Sequence, residues 1–283
     1  MTATLLRTAI PLLLFAFCGV LNAAQNTAQA TLRIVLPMIH PSAQEHAHYF
    51  PQLLRLALDK TAASDGPYVI EHYQHELTSP RQSAELKKDG VINVMWDGTN
   101  PQRERELLPV RVSLLRELND YRVFLIRADQ QERFRAVRAL DDLRQLKAGV
   151  GVNWPSADVL RRNGLPVVTS INYESLFPML AVKRFDYLPR GAHEAWGEQE
   201  LHAKDGLVLE STIFLHYRVP HYFFVSQNNP QLAERIERGL KLAQKDGSWD
   251  KLFNSIPAFR RGQAEINARK RRVFELRTDD LRD

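Results

Sequence analysis

Cysteine is almost missing from this 283-residue chain: its one copy is Cys18. That cysteine lies in an apolar run from Ala9 to Val20, and loss of the leading segment leaves no thiol at all. Disulfides, a cysteine nucleophile and a thiolate metal site are thereby excluded. Long apolar runs are missing too, since no later segment approaches the length of a bilayer span. No Gly-x-Ser-x-Gly, phosphate-binding loop or dinucleotide fingerprint occurs, and nothing sets two carboxylates at hydrolase separation. His193-Glu194 opens like a zinc-peptidase helix, but Gly197 stands where the second histidine belongs. Glu45, His46 and His48, and the pair His72 and His75, lack the spacing of a tight metal site. No metal, no cofactor and no catalytic constellation is expected.

What is present begins with an export signal. Arg7 supplies a positive start, the apolar run follows, and Leu21-Asn22-Ala23 before Ala24 offers the small residues a signal peptidase needs. Residues 1–23 are therefore expected to be a cleaved signal peptide. Phe17 precedes Cys18 where a lipoprotein signal wants a small residue. The balance of charge is mildly basic, 38 Lys and Arg against 33 Asp and Glu. Export removes the chain from nucleic acid, which leaves solvated surface or attraction to an anionic ligand or lipid. The tail run Arg269-Lys270-Arg271-Arg272 reads as a solvated charged segment.

Periodicity then organises the chain. Leu32 to Leu36 alternates into a strand ending at Pro37, and Phe50, Leu53, Leu54, Ala57 and Leu58 fall at helical spacing. Tyr68 to Tyr73 reads as a strand, Ser79-Pro80 opens a helix, and Val91 to Trp96 is a nearly all-apolar strand. Strands alternating with helices indicate a parallel α/β sheet. Two extended stretches follow at Val110 to Val112 and Tyr121 to Ile126. A second α/β cycle then runs from Leu140 to Leu188, and Tyr217 to Val225 is again apolar and extended. A helix near Gln231 to Ala243 ends at Asp246-Gly247.

Several of these pieces carry a resemblance. Gly149-Val150-Gly151-Val152, the helix ending at Gly164, Tyr173-Glu174-Ser175-Leu176-Phe177 and Lys183-Arg184-Phe185-Asp186-Tyr187 are similar to the second lobe of the type II solute-binding proteins, amino-acid (family 3) branch. Ile236-Glu237-Arg238-Gly239-Leu240, Lys245-Asp246-Gly247-Ser248-Trp249 and Leu252-Phe253 resemble that family's closing helices. Asp97-Gly98-Thr99 with Arg103 resembles the loop where the first lobe meets ligand. The resemblance runs from about Leu32 to Phe253. It implies an α/β fold of two lobes, the second inserted into the first, joined by two crossing strands near 121–127 and 217–224. The expected lobes are 31–123 with 222–283, and 124–221. It also implies a cleft that closes by hinge motion.

The sequence departs from the family after Asp186. Where amino-acid binders carry an acid for the ligand's amine, this chain reads Tyr187-Leu188-Pro189-Arg190-Gly191. A cation in that place makes a small polar or anionic solute the expected ligand. Arg190 is expected to meet it, with a protein carboxylate such as Glu194 as the alternative partner. Arg103 or Arg105 stands as the first-lobe cation, unless Glu104 and Glu106 pair with them in solvent. Asn153-Trp154-Pro155-Ser156 turns into a helix, so Ser156 either receives an anion or only caps. Trp96 and Trp154 are candidate stacking rings, with Trp96 alternatively core at a strand end. The expected ligand-binding set is thus Trp96, Asp97, Thr99, Arg103, Asn153, Trp154, Ser156 and Arg190. The chain is expected to be a periplasmic monomer that serves a membrane permease, or alternatively a stand-alone sensor, and not an enzyme.

Overall fold

The computed structural model describes residues 30–39 and 45–278; the expected signal peptide lies outside them. The first lobe comprises β1 (Leu32–Leu36), α1 (Tyr49–Asp65), β2 (Tyr68–His72), α2 (Ser79–Lys87), β3 (Met95–Gly98), α3 (Pro101–Glu106) and β4 (Leu108–Val110). The second holds β5 (Tyr121–Arg127), α4 (Gln131–Arg135), α5 (Leu140–Leu143), β6 (Ala148–Gly151), α6 (Pro155–Arg162), β7 (Val167–Ser170) and α7 (Leu176–Ala181). It continues with β8 (Tyr187–Gly191), α8 (Ala195–His202), β9 (Leu207–Leu209) and β10 (Ile213–His216). The chain then runs through β11 (His221–Val225), α9 (Pro230–Lys245), α10 (Ser248–Ser255), α11 (Pro257–Asn267) and β12 (Arg272–Glu275).

In the first lobe β1 pairs in parallel with β2, while β11 lies between β3 and β4, antiparallel to both. The apolar stripe predicted around Phe50 to Leu58 is the buried face of α1 and packs on α9. That approach needs Gly239, because a Cβ there would lie 2.0 Å from the Ala57 carbonyl oxygen. The strand expected from Val91 starts only at Met95. Asn93 explains the difference. Its side chain accepts from Val35 N–H at 2.8 Å and donates to Arg33 O at 2.8 Å, standing in for a strand partner along β1.

The second lobe is built on a sheet ordered β12-β10-β5-β8-β6-β7, with β9 also on β5. Its β6, β7 and β8 run parallel, and β5 is antiparallel to β8. This corrects one expectation: 121–127 is an interior strand of the sheet and not a crossing segment. Its residues from Arg122 to Arg127 are all buried, so it can be satisfied only by neighbours on both edges. The crossings lie at 111–120 and 217–220, and they bond to each other. Tyr217 N–H reaches Asp120 O at 3.0 Å, Leu114 N–H reaches His221 O at 2.9 Å, and Asn119 Nδ2 reaches Val219 O at 2.6 Å.

The carboxy-terminal part brings a second correction. Residues 222–283 were expected with the first lobe, yet β12 adds a parallel strand to β10 in the second lobe's sheet. The chain therefore crosses a third time, through α11, which packs on the turn after β8. A Cβ on Gly262 would lie 2.1 Å from Ala192 O. The tail cations are not simply solvated either. Arg271 bonds to the Glu210 carbonyl and lies 3.5 Å from Glu265, and Arg272 bonds to the Val137 carbonyl. Carbonyls left open at a chain turn give these guanidiniums acceptors that an isolated tail would lack.

Candidate functional site

Between the lobes lies a cleft with an outer and an inner part. The outer part, about 710 Å³, is walled by the starts of α2 and α3 on one side and by α6 on the other. The inner part, about 180 Å³, sits against the crossings and is lined by residues of both lobes. Trp154, Pro155 and Val219 border both. The cleft thus opens beyond the carboxyl ends of β6 and β8, where an α/β sheet leaves its loops and helix starts free to meet a ligand.

Of the expected residues, Thr99, Arg103, Asn153 and Trp154 line the outer part, and Asp97, Trp154, Ser156 and Arg190 the inner one. Trp96 lines neither. It stacks on Phe50 with ring centroids 5.4 Å apart and 16° between planes, so its role is the core alternative. Ser156 does not cap its helix. Trp154 holds the cap position, Pro155 is the first helical residue, and Ser156 follows, buried, in the second. Trp154 owes its place to Gly151, where a Cβ would come 2.5 Å from the indole nitrogen.

In the first lobe Arg103 is held from three sides. It donates to Gly98 O, to Ser79 Oγ at 2.9 Å and to Asp97 Oδ2 at 2.7 Å. Asp97 in turn accepts from Gly98 N–H at 2.7 Å. Thr99 donates to Glu104 Oε1 at 2.6 Å, and its N–H bonds Pro220 O at 2.9 Å, which ties this loop to the second crossing. Arg103 and Arg105 both reach the outer part; Arg103 is paired with Asp97, whereas Arg105 is exposed.

Arg190 is where the structure departs most from the expectation. The protein supplies countercharge to it, through the alternative partner Glu194 and through Glu198. Nε and a terminal nitrogen grip both oxygens of Glu198, each at 2.6 Å, and that terminal nitrogen also lies 2.7 Å from Glu194 Oε2. Tyr173 donates to Glu198 at 2.7 Å, and the guanidinium lies 4.5 Å from the Trp154 ring centre. Burial opposes charge on Arg190, but Glu194 and Glu198 hold its proton more firmly than usual. Against the same burial, Arg190 keeps the Glu194 carboxyl well below the usual carboxylate range. Burial also lowers His193 far below its usual range and His221 to about 4, so both rings are neutral near pH 7. The Nδ1 atoms of both are shielded and without a hydrogen-bond partner among the described residues.

The inner part also contains residues that the expected ligand-binding set left out: Asn119, Arg122, His193 and His221. Arg122 carried a signal, as a charged residue set inside the apolar strand Tyr121–Arg127. Glu198 carried another, one helical turn after Glu194 and on the same side of the chain as Arg190's needs. His193 and His221 carried none, because only the crossing brings them to ring centroids 6.0 Å apart.

No known family profile and no curated protein matches the sequence. Solved structures do. An ancestral arginine-binding protein bound to arginine is similar over 81% of this chain and 99% of its own, at TM-score 0.59 and 16% identity. A histidine kinase sensor domain with similarity to periplasmic binding proteins matches over 81% and 97%, at TM-score 0.59 and 15% identity. An ancestral amino acid-binding protein described as a precursor of cyclohexadienyl dehydratase matches over 80% and 95%, at TM-score 0.57 and 15% identity. No helix among the described residues is long and apolar enough to cross a membrane. The α/β lobes, their crossings and these likenesses agree: the chain has the two-lobed fold seen in these periplasmic-binding-protein structures.

Proposed function

We propose that this protein is exported to the periplasm, where it captures a small polar or anionic solute between its lobes. The observation that carries this is the charge of the outer cleft. Lys87, Arg103, Arg105 and Arg162 line it together with Glu106 and Asp158; Arg103 is answered by Asp97 and Lys87 lies 3.5 Å from Glu106, while Arg105 is exposed. The amino-terminal ends of α2 and α6 open onto the same space at Ser79 and Pro155, adding the positive ends of their dipoles. Export is supported by the short apolar run and the small residues before Ala24. The proposed boundaries of the lobes are the crossings, and the proposed mode is closure of one lobe on the other. Capture of this kind serves a membrane permease, with a sensor as the alternative recipient. It requires no covalent step, and the chain is proposed to work as a monomer without catalysis.

The test is calorimetric titration with amino acids, organic acids and phosphorylated metabolites, paired with small-angle scattering. An anionic solute should bind and reduce the radius of gyration. Absence of binding across the panel would overturn the proposal.

A further inference from the structure

We infer that Arg122 is the residue that receives the ligand's anionic group, and that the inner pocket takes a small carboxylate. This rests on the proposed capture in the cleft and names its chemistry there. Arg122 is 7% exposed, on a strand whose next four residues are fully buried, and it lines the inner pocket. Its guanidinium donates, among the described residues, to two neutral acceptors, from Nε to the Tyr217 hydroxyl at 2.9 Å and from a terminal nitrogen to Asn119 Oδ1 at 2.5 Å. Among the described residues no carboxylate lies within ion-pair distance of it. Glu194 and Glu198 are taken up by Arg190 and Asp97 by Arg103, while Asp120 and Glu194 feel the charge of Arg122 only from beyond that distance.

A buried guanidinium cannot escape its cost by losing a proton, so an anion is the group that fits beside it. Neighbouring groups suit the same occupant. Ser156, in the first turn of the eight-residue helix α6, lines the pocket from the second lobe. His193 and His221 line it too, so part of the pocket wall is made of two buried rings. The volume of about 180 Å³ has room for on the order of ten waters, which limits the occupant to a small acid or the acid end of a larger one. Arg122 is also bonded to both crossings, through Asn119 on the first and Tyr217 on the second. An anion drawn to it therefore pulls on the segments about which the lobes would turn.

The experiment titrates the full chain with acetate, lactate and pyruvate against acetamide and lactamide, then repeats this with Arg122→Gln and Arg122→Lys. The carboxylates should bind the natural protein at least about thirty-fold more tightly than the amides, and Arg122→Gln should lose about that factor. Arg122→Lys should keep part of it, since it retains charge without the planar fork. A neutral solute held only in the outer cleft should change by no more than about two-fold. The inference is overturned if the natural protein binds amides as well as carboxylates. It is equally overturned if folded Arg122→Gln keeps its carboxylate affinity. Should Arg122→Gln fail to fold, the carboxylate-to-amide ratio and Arg122→Lys decide. If other solutes bind and carboxylates do not, capture stands and this assignment falls; if nothing binds, both fall.

Discussion

Arg190→Ala is expected to destabilise the protein severely, because the residue is the hub of a buried charge network. Arg190 is 7% exposed and Glu198 1%. The variant would leave two carboxylates, Glu194 and Glu198, buried close together without the guanidinium that both grip. Removing one partner of a buried pair costs about 3–5 kcal/mol, most of it from the charge left uncompensated. The Trp154 ring would also lose the cation 4.5 Å from its centre, for roughly 1 kcal/mol more. Glu198→Ala should cost less, since Glu194 still meets the cation and only the bidentate grip and the Tyr173 bond disappear. The double replacement Arg190→Ala with Glu198→Ala should then cost well below the sum of the single losses, with a coupling of about 2 kcal/mol or more. Urea unfolding of the four proteins at pH 7 measures each quantity. A loss under about 1 kcal/mol for Arg190→Ala would refute the reasoning, and would return Arg190 to the role of a cation waiting for a ligand.

Two further outcomes follow from the same geometry. His221 binds its proton less readily folded, at about 4, than at its usual 6.5, so its contribution is present above pH 6.5 and lost as pH falls through that window. His193 and His46 are depressed mainly by burial and act in the same direction; urea midpoints should fall steadily between pH 6.5 and 4, and a flat profile would contradict this. Ending the chain after Arg269 removes β12 from β10, so hydrogen exchange at residues 213–216 should accelerate, and unchanged protection there would mean that the third crossing holds nothing in place.

Local pattern was enough for much of the fold. Helix α1 was legible because its apolar residues recur at helical spacing, α2 because Ser79-Pro80 opens it, α6 because Gly164 follows its end, and β1 because it alternates up to a proline. These signals depend on residues a few positions apart, and a chain carries them wherever it folds. The family likeness, drawn from the order of such pieces, named the two-lobed architecture. Of the residues singled out as a ligand-binding set, Asp97, Thr99, Arg103, Asn153, Trp154, Ser156 and Arg190 lie along the cleft and Trp96 does not.

What the pattern could not hold was partnership. Tyr121–Arg127 reads the same whether it links lobes or sits inside a sheet, and only pairing with β8, β9 and β10 decided it. Arg190 was expected to meet a ligand, with Glu194 as the alternative, and Arg122 was passed over, because sequence records which charges exist and not which meet. Folding brought Glu194 and Glu198 onto Arg190 and left Arg122 among neutral acceptors. Electrostatic energy depends on distances of a few ångströms between atoms far apart in the chain, so the cation's partner was settled by tertiary structure alone.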